Sequence, residues 1–346
     1  MTAIDPKGGS VEARVPGQGP VLALCGGVGG AKLALGLYDV LPPGDLIIAV
    51  NTGDDFEHIG LHVSPDIDTV LYTLSGLNDR ERGWGRAGET WQFMAALKQV
   101  GGESWFQLGD RDLALHVERT HRLRSGTALG AISADFAARF GITAQIVPMS
   151  DDPVATMIDT PEETLPFQRY FVERRCEPVV KAVRFAGADQ ARPHPVFISA
   201  LASNTLRAIV ICPSNPYLSV DPILAIPGVR AALAATATPV VAVSPIIAGK
   251  AVKGPTAKIM AELGVPLTSA AIAQHYRDLI DGLVLDDADA AQAASLGVAT
   301  HVTHTLMTTS ADRCALACRV LDFADHLTAT RELPVSAAAH SKRSIA

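Results

Sequence analysis

The chain has 346 residues, 48% of them hydrophobic, and a formal net charge of −7 at pH 7. That is enough to bury a large core in one or two domains. The acidic balance argues against nucleic-acid binding, which needs a basic face, but leaves room for a local basic pocket around a small phosphorylated ligand. No apolar run reaches the ~18 uninterrupted residues of a membrane span. Residues 1–19 lack the apolar centre of a secretion signal and read as a flexible leader, and residues 329–346 as a flexible tail. Five cysteines, an odd number without a CxxC pair, read as reduced, buried thiols of a cytoplasmic protein.

In chain order, "PVLALCG" (20–26) reads as a buried strand, "GAKLALGLYDVL" (30–41) as a helix and "DLIIAVNTG" (45–53) as a second strand entering a loop at Asn51. Such a β–α–β unit should have parallel strands and a right-handed connection. Helices follow at 68–76, 89–101 and 127–141, then a strand at 142–150. Residues 157–200 alternate less clearly and look like strands and turns inserted over the sheet edge. Beyond them, 196–216 reads as a helix then a strand, 239–247 as a strand, 257–265 as a helix and 281–287 as a strand. A helix at 288–298, a strand at 299–307 and a closing helix at 310–327, with Ser310 as its N-cap, complete the chain. This alternation predicts an α/β, Rossmann-like three-layer fold with a mostly parallel central sheet and an inserted subdomain, in one domain spanning 20–328.

"VLALCGGVGGAKLALGL" places Gly26, Gly27, Gly29, Gly30 and Lys32 where the first strand meets its helix. Both common nucleotide loops fail here. A P-loop would need glycine at Ala31 and a hydroxyl at Leu33, and a dinucleotide fingerprint would need glycine at Lys32. The physics survives: glycines allow close backbone approach, and the helix N-terminus offers unpaired N–H groups. A phosphate or diphosphate contact is the sharp reading, and a tight turn without ligand is the bland one.

"NTGDDFEHIGLHVSPDIDTVLY" carries Asp54, Asp55, Asp66 and Asp68 after the second strand, where open α/β sheets line their ligand crevice. Acids beside a phosphate loop suggest Mg2+, against a solvated acidic loop. His58 and His62 lack a third zinc ligand. "WFQLGDRDLALH" puts Asp110, Arg111 and Asp112 in a loop before a helix, where Arg111 could clamp a phosphate. Ser150, Asp151 and Asp152, then Ser214 and Asn215, then Ser244, Lys250, Lys253 and Lys258 follow later strands. Their recurrence on one edge is what a crevice rim requires. No G-x-S-x-G elbow or Cys–His pair offers a nucleophile, so transfer onto a phosphate by positioning and charge neutralisation fits better.

Together these motifs resemble the 2-phospho-L-lactate transferases of coenzyme F420 biosynthesis. The resemblance rests on "CGGVGGAKL", "NTGDD", "SPDIDTVLY", "WGRAGETW", "LGDRD", "MSDDPV", "CPSNPYLSV", "VAVSPIIAG", "YRDLIDGLVLD" and "THTLM", spread over about residues 20 to 325. It implies a Mg2+-dependent transfer of a phospho-acid from a guanosine-diphosphate-linked donor to the hydroxyl of a deazaflavin, 7,8-didemethyl-8-hydroxy-5-deazariboflavin (Fo), with release of GMP. It also implies a homodimer and no nucleic-acid or membrane partner. Residues Gly26 to Lys32 would then lie near the phosphates, Asp54, Asp66 or Asp68 would hold Mg2+ or the deazaflavin hydroxyls, and Asp66 would be the first candidate for proton acceptor. Arg111 and Lys258 would meet phosphate, and Ser214 and Asn215 the nucleotide, with Asn51, Asp110 and Ser244 on the same rim. Two rivals stand beside this reading: a YvcK-like nucleotide-sugar-binding regulator, and a dinucleotide-dependent oxidoreductase whose fingerprint is missing.

Overall fold

The structure, a computed structural model, describes residues 17–252 and 254–332. Residues 1–16 of the expected leader, Lys253, and residues 333–346 of the expected tail lie outside the described residues.

Seven strands form the central sheet: β1 (Val21–Cys25), β2 (Leu46–Val50), β3 (Gln145–Pro148), β4 (Ala208–Ile211), β5 (Val240–Val243), β6 (Gly282–Leu285) and β7 (Ala299–Val302). Their spatial order is β7-β6-β5-β4-β1-β2-β3, and every neighbouring pair is parallel. The expected α/β fold is therefore present. All five residues of β1 are buried because both faces of the sheet are covered, which is why the strand reads as a continuous apolar run. Val21, Ala23 and Cys25 pack with helices Gly27–Val40, Pro65–Leu74, Leu129–Arg139 and Ser310–Glu332 on one face. Leu22 and Leu24 pack with helices Pro195–Leu201, Val229–Ala235 and Ser269–His275 on the other.

Several boundaries differ from expectation. Residues 110–112 form the first turn of helix Asp110–Arg124 instead of a loop. Residues 288–298 contain a 3-10 helix, Asp287–Ser295, in place of an α-helix. The last strand stops at Val302, because the Thr305 N–H and hydroxyl turn to the Asp286 carboxylate at 2.8 and 3.0 Å. Helix Ser310–Glu332 runs on through residues expected in the tail. Its cap is Thr309, whose hydroxyl accepts from Asp312 N–H at 3.1 Å, while Asp312 reaches back to Thr309 N–H at 2.7 Å. Of the five cysteines, only Cys25 and Cys212 are buried.

Within the unclear middle, strands Ala155–Asp159, Thr164–Pro166 and Ala182–Ala186 form a separate antiparallel sheet with Ala155–Asp159 at its centre. A hairpin, Phe56–His58 with Leu61–Val63, folds where the sequence suggested only an acidic loop. Among the described residues, no single helix is long and apolar enough to cross a membrane.

Candidate active site

From β1 the chain steps outward to β2 and β3, then returns to add β4 on the opposite side. In open α/β sheets such a reversal is where a ligand crevice lies, here beyond the carboxyl ends of β1 and β4. Helix Gly27–Val40 begins at its floor, with Gly26 as N-cap. Helix geometry gives the N–H groups of its first turn no intrahelical acceptor, so positive partial charge gathers there.

The glycines serve the protein before any ligand. A Cβ on Gly29 would stand 2.6 Å from the Pro213 carbonyl oxygen, and one on Gly30 would stand 2.4 Å from Ser214 Oγ. These positions let the turn after β1 press against the turn after β4. Ser214 Oγ stitches the two together, accepting from Gly26 N–H at 3.2 Å and donating to its carbonyl at 2.8 Å.

Asp66 meets this turn directly. It enters at the start of helix Pro65–Leu74, where Pro65 fixes the first helical position. Asp66 Oδ1 accepts from Gly27 N–H at 2.8 Å, and Oδ2 accepts from Asn51 Nδ2 at 2.9 Å. Asn51, at the end of β2, also donates to the Leu218 carbonyl at 3.2 Å and so ties both halves of the crevice to one amide. Burial pushes the Asp66 carboxyl up to about 6, against the pull of the Asn51 and Gly27 hydrogen bonds. Burial, then the nearby Asp66 charge, raises Asp54 well above the usual carboxylate range. Asp54 Oδ1 is buried with no aligned hydrogen-bond partner. Two buried carboxylates that push against one another, one with an orphaned oxygen, suit a hard divalent cation.

Asp68, expected beside Asp66 in the chemistry, is held elsewhere. Both its oxygens bond the guanidinium of Arg119, a fully buried side chain that sequence reading missed. His116 Nδ1 lies 3.3 Å from Arg119 Nη1, and His116 Nε2 lies 3.2 Å from Asp112 Oδ2, which is also near the Tyr72 hydroxyl that donates to Oδ1 at 2.5 Å. Ligand atoms of Asp68, Asp112 and His116 lie within 4.8 Å of one another and could hold a metal ion. The Arg119 guanidinium already supplies positive charge there. Asp55 bonds Ser64 Oγ at 2.7 Å and His62 Nε2 at 3.1 Å, while His58 packs among Phe56, Trp105 and Phe106.

Other expected ligand residues are committed to the protein itself. Asp110 caps helix Gln92–Gln99, accepting from Gln92 and Phe93 N–H at 3.1 Å each. Glu89 returns the cap, accepting from Arg111 and Asp112 N–H at 2.7 and 2.8 Å. Arg111 is exposed, and it is Arg119 that reaches the acids. Lys258 gives its ammonium to Glu262 at 2.6 and 2.7 Å and to the Pro178 carbonyl at 2.8 Å. Ser244 is buried against Ile246 and Ser269 Oγ. Asn215 Oδ1 accepts from Tyr217 and Leu218 N–H, and its amide donates to Thr256. Lys32 Nζ donates to the Met307 carbonyl at 2.8 Å.

A family profile described as 2-phospho-L-lactate transferase CofD matches residues 21–321. The chain belongs to this family. A phosphoenolpyruvate transferase of Streptomyces griseus is 39% identical over 318 residues, covering 89% of this chain and 99% of the relative. A 2-phospho-L-lactate transferase of Methanosarcina mazei is 38% identical over 294 residues, covering 84% of this chain and 95% of the relative. The CofD chain is thus a transferase. Its fold matches a crystal structure of a UPF0052-family protein from Bacillus halodurans with TM-score 0.57 at 14% identity, covering 88% of this chain and 99% of that one.

Proposed function

We propose that this enzyme moves a phospho-acid (2-phospho-L-lactate, phosphoenolpyruvate or 3-phosphoglycerate type) from a guanosine-diphosphate-linked donor to a hydroxyl of Fo, releasing GMP, in coenzyme F420 biosynthesis. The new bond joins the Fo hydroxyl oxygen to the phosphorus that carries the acid. The bond that breaks joins that phosphorus to the oxygen leaving with GMP, and the hydroxyl proton goes to a carboxylate. The supporting observation is the junction of the Gly27 N–H, Asp66 and Asn51 at the crevice floor, with Asp54 beside it.

In this reading the first turn of helix Gly27–Val40 faces the diphosphate, since its N–H groups favour anions. Asp54 and Asp66 would hold Mg2+, which when bound supplies counter-charge to the diphosphate and the leaving phosphate. Asp66, whose carboxyl burial raises to about 6 in the cation-free protein, is our first candidate for the proton acceptor. Asn51 orients it. The transferase domain spans 20–328, with 157–200 as its insertion, and works as a homodimer in the cytoplasm.

The test offers purified protein Fo and Mg2+ with the lactyl-, enolpyruvyl- or glyceryl-type donor separately, reading GMP release and product mass. One donor should give a mass-matched Fo adduct with stoichiometric GMP, and Asp66→Asn should lower turnover by ~100-fold or more. No adduct with any donor, or unchanged turnover for Asp66→Asn, overturns the assignment.

A further inference from the structure

Thr156 lies on the central strand of the small sheet, Ala155–Asp159, more than 100 positions after the loop it touches. Its side chain is buried at 1% exposure. Its N–H donates to the Gly53 carbonyl at 2.7 Å, so the strand continues the loop between Asn51 and Asp54 by a main-chain bond. A Cβ on Gly53 would fall 2.6 Å from Thr156 Oγ, so only glycine at 53 admits the hydroxyl this close. The oxygens Thr156 Oγ, Thr52 Oγ and Asp54 Oδ1 are all buried without a well-formed hydrogen bond, and the Thr156 hydroxyl lies close enough to the Asp54 carboxylate to pull its pKa down against the push of burial. Buried polar atoms are normally paired, so three orphans on one loop and the strand pressed against it call for a reason beyond packing. Valine would fill the same space without an orphaned hydroxyl.

We propose that Thr156 is a positioning residue whose hydroxyl orients the Asp54 carboxylate toward a divalent cation, making the small sheet a structural part of the crevice. This rests on the reading of Asp54 as a cation holder. Outer partners of metal-binding carboxylates fix their orientation, and losing one typically weakens metal affinity by about 10–100-fold.

The test titrates the cation-free, full-length protein with Mn2+ alone and reads free Mn2+ by electron paramagnetic resonance, so activity does not enter. Thr156→Val should weaken Mn2+ binding by ~10-fold or more while keeping the fold, because valine fills the same space without the hydroxyl that faces Asp54. Thr156→Ser should bind within about twofold of wild type. Thr156→Ala serves the same comparison if the valine variant melts early. Wild-type affinity in the valine and alanine variants, or failure of serine to restore binding, overturns the proposal. Asp54→Asn separates the two levels: if it binds Mn2+ as wild type does, the cation reading itself falls.

Discussion

Asp66 is a buried carboxyl whose two oxygens are held by a helix N-terminus and an amide, yet burial still pushes its pKa up to about 6. Between about pH 4 and 6 the folded chain therefore keeps a proton that the unfolded chain has lost. Asp66 thus favours folding at low pH, and this contribution is lost as pH rises through about 6. In cation-free buffer, urea unfolding should show wild type gaining about 1 kcal/mol relative to Asp66→Asn between pH 7 and pH 5. A difference flat across that range would mean an unshifted carboxyl. Arg119 works the other way, as a buried cation that neutralises Asp68. Arg119→Met leaves that carboxylate buried and unpaired and should cost ~3–5 kcal/mol by urea unfolding, with most of it recovered in the Asp68→Asn/Arg119→Met double variant. Asp66 and Asn51 were legible because acids and amides that follow a strand point to the crevice. Arg119 was hidden because "HVERTHRLR" carries the charge density of a solvated helix, and only tertiary packing reveals which of its residues turns inward.

At the level of elements, the motif "LGDRD" opens a helix whose start is locked to a second helix start. Two helix N-termini face each other, and each is capped by a carboxylate from the other's first turn or the loop before it: Asp110 on Gln92–Gln99 and Glu89 on Asp110–Arg124. An acid placed before a helix in sequence cannot be distinguished from an anion-site neighbour, because capping partners here are about twenty residues apart. Glu89→Ala should leave the Arg111 and Asp112 amides open to exchange. Hydrogen exchange at those two amides should rise by ~10-fold, while amides in β1 hardly change. Equal exchange in both proteins would mean that solvent or another group already satisfies them. The short hairpin at Phe56–His58 was invisible for a related reason: three-residue strands show too little alternation to be read against an acidic background.

On the scale of the molecule, the parallel sheet was readable because buried strands and amphipathic helices alternate with clear punctuation. The small sheet's docking onto the crevice was not, since Thr156 meets Gly53 only through the fold. The crevice is a seam. Gly26, Asn51 and Asp66 come from the first half of the chain, Ser214 and Leu218 from the second, and direct hydrogen bonds cross between them. A ligand that bridges the seam must therefore stabilise both halves together. Diphosphate oxygens and the Asp54–Asp66 carboxylates would share one cation, so the cation and a guanosine diphosphate should each strengthen binding of the other. With GDP as probe, Mg2+ and nucleotide together should raise the melting temperature by more than the sum of their separate shifts. Saturation at ~100 times the dissociation constant corresponds to about 2.7 kcal/mol. Asp54→Asn should abolish the excess while sparing the shift from nucleotide alone, because the helix N-terminus proposed to face the phosphates is unchanged. Strictly additive shifts in wild type would mean that cation and nucleotide occupy separate places. An excess that survives Asp54→Asn would move the cation to the Asp68–Asp112–His116 cluster.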